Sequence, residues 1–407
     1  MTATSVKSEG RVSPYPTWLV LLGLLVVAGL AGWIIQLVQG LVVTDMRNVT
    51  VWGLYIVSFM FFVGLSAGGL IVSSATKVFK TTRFDSIAKI ATLLSFSCIV
   101  AAAVSILPDM GRPERLWHMI IHPNFQSPLV WDMIIIGIYA ALSAVYLWMM
   151  IRHDRGAISS DALRRMAFFA LPTAILVHSV TAWIFGLQVS HPFWNSALMA
   201  PLFISSALVS GTALLMIAVL WLKRIGYLEF SGSQTRSLGA LLSVFIVVDL
   251  FFLFSEIITE AYPQAAEGTE ALELLITGAG APMFWAEVLL GGVVALYLLL
   301  SRRTREQPGW VVLASVFVII GIFFKRFNLL MAGFRLPLVS AEATVQTGPV
   351  SPNADTLLQT LEEGLGYFPS AVEWAIFGGV IALTALIFTL GVRYLPLGSV
   401  PEEEAGV

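Results

Sequence analysis

Long apolar runs, separated by short segments that contain charged residues, glycine or proline, recur along the whole chain. The chain has 407 residues, of which 57% are hydrophobic and only 12% are charged. A helix that crosses a bilayer needs about 20 predominantly apolar residues, and ten such runs are present. They lie near residues 17–39, 52–77, 86–107, 129–151, 163–189, 197–222, 236–260, 282–301, 310–331 and 370–394. The sequence therefore predicts an all-α polytopic membrane protein whose chemistry takes place in or at the membrane.

The order of these spans suggests how they are grouped. One span precedes two sets of four, and one span follows them, so we predict two four-helix bundles with two flanking helices. The predicted parts are a tail at 1–16, the first span and a loop at 17–51, a first bundle with the functional site at 52–190, a second bundle at 191–331, a loop at 332–369, and the last span with a tail at 370–407.

The basic residues predict the orientation of the chain in its membrane. An even number of spans places both termini on one side, and most lysines and arginines lie on that side. Outside the span interiors, the opposite side has only Arg47, Arg112, Arg115 and Arg335. Because short loops rich in lysine and arginine remain in the cytoplasm, we predict a cytoplasmic-membrane protein with cytoplasmic termini. The loops near 108–128, 261–281 and 332–369 then face outward.

Several charged residues lie inside the predicted spans, where each one is unfavourable by about 2.5 to 3.5 kcal/mol. Glu256, Glu287, Lys325 and Arg326 fall at similar depths below the outer surface. We expect opposite charges at matched depth to pair, either as a network that locks the second bundle together or as a route for protons. Asp249 lies near the middle of its span, where it could serve proton transfer or structural hydrogen bonding.

The histidines and the single cysteine limit which redox centres the chain can hold by itself. An iron–sulfur cluster takes about four thiolates, and a b-type haem needs two axial histidines. Only Cys98 is available as a thiol, and only His178 lies deep in a span. The outward residues His118 and His122 have no accompanying carboxylate pattern that would indicate a metal site. We therefore expect no haem, no iron–sulfur cluster and no metal in this chain.

One outward loop gathers charge between two apolar spans. Its sequence, LPDMGRPERLWHMIIHPNFQSPLVWD at 107–132, resembles the signature of the NrfD-like family, the membrane subunits of polysulfide reductase and its relatives. The matching residues are Asp109, Gly111, Arg112, Pro113, Trp117, Ser127, Pro128, Trp131 and Asp132. Further stretches extend the resemblance over roughly residues 50 to 396. The ten-span form resembles the branch that contains the hydrogenase-2 and sulfite-reduction-associated membrane subunits.

The resemblance implies a subunit of a respiratory oxidoreductase that binds menaquinone or ubiquinone and contains no haem. Its partners would be an extracytoplasmic, ferredoxin-like iron–sulfur subunit and a catalytic subunit of the molybdopterin, hydrogenase or cytochrome type. Membrane lipid is the other expected partner, and no nucleic acid is expected. The chain itself would be either non-catalytic or reactive only toward quinone. One departure from the family is the lack of an early histidine, for which Gln36, Gln39 or Asn48 could substitute.

The candidate quinone site draws on the same outward loop. Oxidation of a quinol needs a proton acceptor, and Asp132 and Asp109 suit this role. We favour Asp132 as the proton-exchanging carboxylate, because it lies at the outward start of its span, within a turn of the surface. Arg112 is expected to hold one of these two carboxylates by a charge-assisted bond. His118, His122 or His178 could provide a second partner for the ring, and Trp131 belongs to the same cofactor-binding signature.

Two other functional classes remain open from the sequence. A transporter or ion channel without a redox role would have broken helices at corresponding positions in its two halves. The glycine-rich stretch Gly64–Gly69 is a weak indication of that kind, which close helix packing explains better. A purely structural anchor, which binds a partner subunit but no quinone, is the third possibility.

Overall fold

The computed structural model describes residues 14–47, 50–191, 193–263, 265–335 and 366–398, and these are helices and short connections without a β-strand. The α-helices are α1 (Pro14–Gln39), α2 (Leu54–Val78), α3 (Asp85–Asp109), α4 (Leu116–Ile121), α5 (Pro128–Asp154), α6 (Ser160–Gly186), α7 (Met199–Arg224), α8 (Gly232–Ala261), α9 (Ala266–Ile276), α10 (Ala281–Trp285), α11 (Ala295–Leu300), α12 (Pro308–Arg335) and α13 (Ala371–Tyr394). A π-helical segment, Ala286–Val294, joins α10 to α11 in one continuous span.

Ten of the described helical segments are long and apolar enough to cross a membrane. The prediction of an all-α polytopic membrane protein is confirmed, with span ends that differ from the predicted ones by a few residues. The predicted tail at 1–16, most of the predicted loop at 332–369 and most of the final tail lie outside the described residues.

Local sequence signals explain where several spans begin. Ser231 and Ser370 form capping boxes with Gln234 and Glu373, each serine accepting a backbone hydrogen bond while the residue three positions later bonds back. α5 begins with Pro128, a residue favoured at the first position of a helix because it has no amide hydrogen to leave unpaired. These signals determine where α8, α13 and α5 begin, independently of the hydropathy pattern.

The helices pack as two groups of four with an additional pair. α2, α3, α5 and α6 contact one another in a ring, which we call the first bundle. α7, α8, the α10–α11 span and α12 form a second ring, the second bundle, and α2 packs against α7 where the two bundles meet. α1 pairs with α13, and α13 lies against α3. This is the predicted arrangement of two bundles and two flanking helices.

Glycines allow the closest helix approaches. A Cβ atom placed on Gly68 of α2 would lie 2.5 Å from Gly211 of α7, and one placed on Gly29 of α1 would lie 2.7 Å from Gly379 of α13. Small residues at such crossings let helix backbones approach within van der Waals contact. The glycine-rich stretch Gly64–Gly69 therefore contributes to helix packing, as the sequence indicated.

Two faces of the molecule are used below to describe positions. The terminal face contains the start of α1, the end of α13 and the connections at 79–84, 155–159, 225–231 and 301–307. The loop face contains the opposite helix ends and the connections at 110–127, 187–198 and 262–280.

Candidate functional site

The charged residues of the 110–127 loop point away from the helix bundle. Gly111 takes a positive φ of 62°, and the chain then forms a 3₁₀ turn and α4. Arg112, His118 and His122 are exposed, and the His118 ring stacks on Trp117 with a centroid distance of 3.8 Å. The expected bond of Arg112 to Asp109 or Asp132 is absent from the ion pairs of the described residues. Arg112 keeps its hydration while the two carboxylates turn inward.

Asp109, the last residue of α3, takes part in a polar cluster at the loop face. Its Oδ1 atom is buried and has no hydrogen-bond partner among the described residues. Beside it, Gln36 of α1 is only 2% exposed and donates to the Pro108 carbonyl at 2.7 Å. The hydroxyl of Tyr55 donates to Gln36 Oε1 at 2.5 Å. Asp109 thus offers an unsatisfied oxygen next to residues whose own hydrogen bonds hold them in place.

Glu373, near the start of α13, completes this cluster. It is fully buried, and its carboxylate accepts hydrogen bonds from the Tyr367 hydroxyl, from the Asp45 amide at 3.0 Å and from the Ser370 amide at 2.9 Å. Burial and the nearby Glu373 carboxylate raise the pKa of Tyr367, so its hydroxyl remains a donor. Glu373 and Asp109 are close enough for their charges to interact. Glu373 is satisfied by its neighbours, whereas Asp109 is not.

A large apolar cavity lies within the membrane-crossing part of the molecule, between this cluster and the terminal face. Its volume is about 740 Å³, and its walls come from α1, α2, α3, α7, α12 and α13. Phe62 in its wall follows Tyr55 by seven residues on α2, and Phe377 follows Glu373 by four residues on α13. At about 1.5 Å per residue, the cavity therefore begins within one to two helical turns of the polar cluster. Its size and apolar lining suit a long hydrocarbon chain.

The second carboxylate predicted from the loop signature, Asp132, points into the first bundle. It is 3% exposed, and its Oδ1 accepts a hydrogen bond of 2.6 Å from Thr181 Oγ1 on α6. His178 lies one turn away on the same face of α6. It is 1% exposed, and neither ring nitrogen meets hydrogen-bond geometry with a described residue, although the ring lies near the backbone of Val63 and Gly64. Asp132 and His178 are thus both buried inside the first bundle, whereas the Asp109 cluster lies on the other side of α3.

Trp131 has a local structural contact. It is half-buried, and its indole Nε1 donates to the Phe125 carbonyl at 2.6 Å, which closes the loop onto the start of α5.

The second bundle brings several of the predicted charges together. Lys325 Nζ lies 2.9 Å from Asp249 Oδ2 and 3.4 Å from Glu287 Oε1. Ser205 donates to the other oxygen of Asp249 at 2.7 Å. The pairing of Lys325 with Glu287 at matched depth is therefore confirmed. Asp249, for which the sequence left proton transfer and structural bonding open, is the closest partner of Lys325.

Two other members of the predicted network do not form ion pairs in the part of the chain that the structure describes. Arg326 donates to Ser206, and its guanidinium carbon lies 3.8 Å from the centre of the Phe203 ring. Glu256 is buried with Oε2 unpaired, two turns beyond Asp249 on α8. Both residues lie close enough to the Lys325 site for their charges to interact with it, so a network that includes them stays a prediction.

Three residues of the loop-face cluster were not predicted: Tyr55, Tyr367 and Glu373. The signal available for Glu373 was a carboxylate inside the predicted span 370–394. Of the three residues considered as substitutes for the early histidine, Gln36 is in the cluster, Gln39 is exposed, and Asn48 lies outside the described residues. Within the described ranges, no group of three or more His, Cys, Asp or Glu residues is arranged to hold a metal ion.

The known proteins to which this chain is similar include subunits of several reductases and oxidoreductases. The chain is 38% identical to a provisionally named dimethyl sulfoxide reductase membrane subunit of Halobacterium salinarum, over 93% of this chain and 91% of the relative. It is 26% identical to a selenate reductase subunit of Mesobacillus selenatarsenatis, over 92% and 93% of the two chains. It is 28% identical to the Hdr-like menaquinol oxidoreductase integral membrane subunit of Archaeoglobus fulgidus, over 97% and 96%.

The family model described as "Polysulphide reductase, NrfD" matches residues 42–337, which include both bundles and the 110–127 loop. The likeness to the hydrogenase-2 branch remains a prediction. The relatives are membrane subunits of reductases and oxidoreductases, and the ten apolar helices make this chain a multi-pass membrane protein. The chain belongs to the NrfD, polysulphide reductase family.

Proposed function

We propose that this chain is the quinone-interacting membrane subunit of a respiratory oxidoreductase. It exchanges electrons between menaquinone or ubiquinone in the membrane and an extracytoplasmic, ferredoxin-like iron–sulfur subunit, which serves a separate catalytic subunit. The name of the menaquinol oxidoreductase relative supports a quinone as the substrate. The observation that carries the proposal is the unpaired Asp109 carboxylate in a buried polar cluster, whose members Tyr55 and Glu373 lie one to two helical turns from the lining of a large apolar cavity.

Quinol oxidation releases two electrons and two protons, so the site needs proton acceptors and an apolar space for the isoprenoid tail. Asp109 Oδ1 has no competing donor among the described residues, and it can accept the proton of one ring hydroxyl. Gln36 and Tyr55 position the ring beside it, and the 740 Å³ cavity accommodates the tail. The sequence favoured Asp132 as the proton-exchanging carboxylate. The position of the cavity instead favours Asp109 as the ring contact.

In this proposal Asp132 takes the second proton, which reaches it from the ring through intervening water because Asp132 does not contact the ring. Asp132 is buried, is bonded only to the Thr181 hydroxyl among the described contacts, and shares its interior with the unpaired His178. His178 lies one helical turn from Thr181, the partner of Asp132, and we propose that the carboxylate and the imidazole exchange the proton through water. The exposed residues Arg112, His118 and His122 are proposed as contacts for the iron–sulfur subunit, together with the exposed Trp117.

The orientation in this proposal follows the basic residues. The terminal face carries most of the lysines and arginines and is assigned to the cytoplasm. The loop face, with the 110–127 loop and the Asp109 cluster, then faces outward in the cytoplasmic membrane. Protons released from Asp109 and Asp132 would leave on that side.

One observation favours the alternative, an ion- or proton-translocating protein without a redox role. The π-helical segment interrupts the eighth span at Glu287, which is paired with Lys325 in the membrane interior. An interruption at a charged site resembles the broken helices of transporters. The alternative predicts a protein that binds no quinone, so the experiment that follows separates the two.

The test uses the complete complex purified from membranes, with bound quinone extracted and quantified and quinol oxidation measured. Replacing Asp109 with Asn keeps the size of the side chain but removes its titration. We expect bound quinone to fall and quinol oxidation to decrease by about 10²- to 10⁴-fold, the usual range for loss of a general base.

Asp161→Asn is the matched control, because Asp161 is an exposed aspartate at the terminal end of α6. It should retain both quinone and turnover. A parental complex without quinone would reject the proposed function. Parental quinone content and turnover in Asp109→Asn would reject this residue as the ring contact.

A further inference from the structure

A second, chemically different pocket lies at the terminal face. Its volume is about 370 Å³, and it lies between the connection that follows α2, the start of α8, the end of α11 and the start of α12. Its polar lining consists of arginine and hydroxyl side chains. These are Arg83, Arg236, Arg305, Ser233, Thr235 and Ser237. This pocket plays no part in the proposed quinone chemistry.

The pocket has more positive charge than its protein partners neutralise. Arg236 pairs with Glu306 at 3.0 Å, which leaves Arg83 and Arg305 without an ion pair among the described residues. The Nε atom of Arg305 is buried and has no hydrogen-bond partner there. None of the described residues that line the pocket is acidic. Two guanidinium groups without an ion pair among the described residues therefore line one space, whereas the hydroxyls of Thr235 and Ser237 already donate to backbone carbonyls.

Helix geometry adds to this positive potential. Ser233 and Thr235 belong to the first turn of α8, which begins at Gly232. The partial positive charge at a helix N-terminus favours an anion within about one turn. The Ser231 side chain already accepts a hydrogen bond from the Gln234 amide of that turn. The attraction of the helix N-terminus for an anion in the pocket is therefore counted only as electrostatic.

The other wall of the pocket is apolar and borders the membrane. Leu299, Leu300 and Val311 line it, and Leu300 is 56% exposed on the outside of the bundle. Trp310, next to this wall, is 43% exposed, and tryptophan is common at the level of lipid headgroups. A ligand that fills the pocket therefore meets charge on one side and hydrocarbon on the other.

We propose that this pocket binds the phosphate of an anionic phospholipid, with the acyl chains lying along Leu300 and the exposed surface of the second bundle. Basic pockets between helices at the cytoplasmic surface are suited to phospholipid headgroups. A water-soluble phosphate would satisfy the arginines but would gain nothing from the apolar wall.

The site also joins the two bundles. Arg83 belongs to the connection between α2 and α3 of the first bundle, whereas Arg305 lies between α11 and α12 of the second. Gln234 of α8 donates to the Arg83 carbonyl at 3.1 Å, so the bundles are already in contact at this point. A bound phosphate bridges the two arginines and stabilises this contact.

The test measures lipid binding to the purified complex by native mass spectrometry, with phosphatidylglycerol as the anionic probe and phosphatidylcholine as the probe without net charge. The double variant Arg83→Gln/Arg305→Gln should bind phosphatidylglycerol about 30-fold more weakly, because each arginine contributes about fivefold near a membrane surface. The variant Arg83→Lys/Arg305→Lys keeps the charge and should retain most of the binding.

The matched control is Arg302→Gln/Arg303→Gln, which removes two exposed arginines from the same connection but outside the pocket. It should bind phosphatidylglycerol like the parent. Equal loss in this control, or equal binding of the two lipids by the parent, would overturn the proposal. Displacement of phosphatidylglycerol by inorganic phosphate would assign the site to a soluble anion instead and would also overturn it.

Discussion

The two bundles bury their ionisable side chains in different ways. In the second bundle, Lys325 lies between Asp249 and Glu287, so positive and negative charges are paired inside the helices. In the first bundle, Asp132 has a single neutral partner, and His178 has none among the described residues. A paired charge is held in place by its partner, whereas an unpaired titratable group can exchange a proton or bind a ligand. The first bundle therefore buries an acid and a histidine that have no ion pair among the described residues, and Glu256 is the carboxylate of the second bundle that is buried in the same way.

The second bundle nevertheless has one irregular feature. Glu287 lies at the start of the π-helical segment, beside a cavity of about 10 Å³ that is also lined by Asp249 and Gly321. That volume is about the minimum for one water molecule. A π segment widens a helix locally and often occurs at functional sites. The two bundles therefore differ in the ion pairing of their buried side chains, and the irregular helix of the second bundle is a separate feature.

The largest expected effect is that of Asp132→Asn in the first bundle. The amide can still accept the Thr181 hydrogen bond, but it cannot take up a proton. We expect quinol oxidation to fall by about 10²- to 10⁴-fold, while bound quinone stays at the parental level because Asp132 does not contact the ring. Both are measured on complexes that have assembled with their partner subunits.

Asp249→Asn is the corresponding change in the second bundle. It weakens the pairing of Lys325, so it should lower the unfolding temperature while the folded complex retains its turnover. If Asp132→Asn oxidises quinol at the parental rate, the assignment is wrong, and His178 becomes the better candidate for the second proton.

The next largest effect concerns the stability of the second bundle. Replacing Lys325 with Met leaves Asp249 and Glu287 buried without a cation, and breaking a buried pair in this way typically reduces the free energy of unfolding by about 3 to 5 kcal/mol. Thermal unfolding of the purified protein in detergent would show this loss. Lys223→Met, at the exposed end of α7, is the control and should have little effect.

A compensating variant sharpens this result. Lys325→Met combined with Asp249→Asn and Glu287→Gln removes all three charges, and it should recover most of the lost stability. If Lys325→Met unfolds at the parental temperature, the ion pair does not stabilise the second bundle, and the contrast with the first bundle no longer holds.

The spans could be predicted because their signal is local. A run such as 236–260 is apolar from end to end, and the structure places α8 at Gly232–Ala261. The depth of Lys325 along its span was enough to predict Glu287 as a partner. Depth alone does not specify which side chains are in contact, and Glu256, at a similar depth, is buried without an ion pair among the described residues.

The loop-face cluster was harder to predict because its contacts join distant parts of the chain. Glu373 accepts a hydrogen bond from Asp45, and Leu54 donates to Tyr367, across separations of more than 300 residues. No local pattern indicates that α1 and α13 pair. Arg112 illustrates the opposite problem, since its motif was recognised but the side chain points to solvent.

The smallest expected effect is that of Tyr55→Phe in the Asp109 cluster. This change removes the hydroxyl that donates to Gln36 Oε1 at 2.5 Å and leaves a buried amide oxygen without its donor. Leaving a buried acceptor unsatisfied in this way is unfavourable by about 1 to 3 kcal/mol, which corresponds to about 5- to 160-fold in an equilibrium constant. Because Gln36 and Tyr55 position the quinone ring in our proposal, the affinity for quinone should fall by this factor. The affinity is measured by titration of the quinone-depleted complex.

Tyr139→Phe is the matched control, since the Tyr139 hydroxyl lies 2.7 Å from Ser95 Oγ and 3.0 Å from the Ser66 carbonyl inside the first bundle, and Tyr139 belongs neither to the Asp109 cluster nor to the cavity lining. It should lower stability to a similar extent without changing the affinity for quinone. Equal loss of affinity in both variants would mean that the effect is structural, and unchanged affinity in Tyr55→Phe would place the ring outside this cluster.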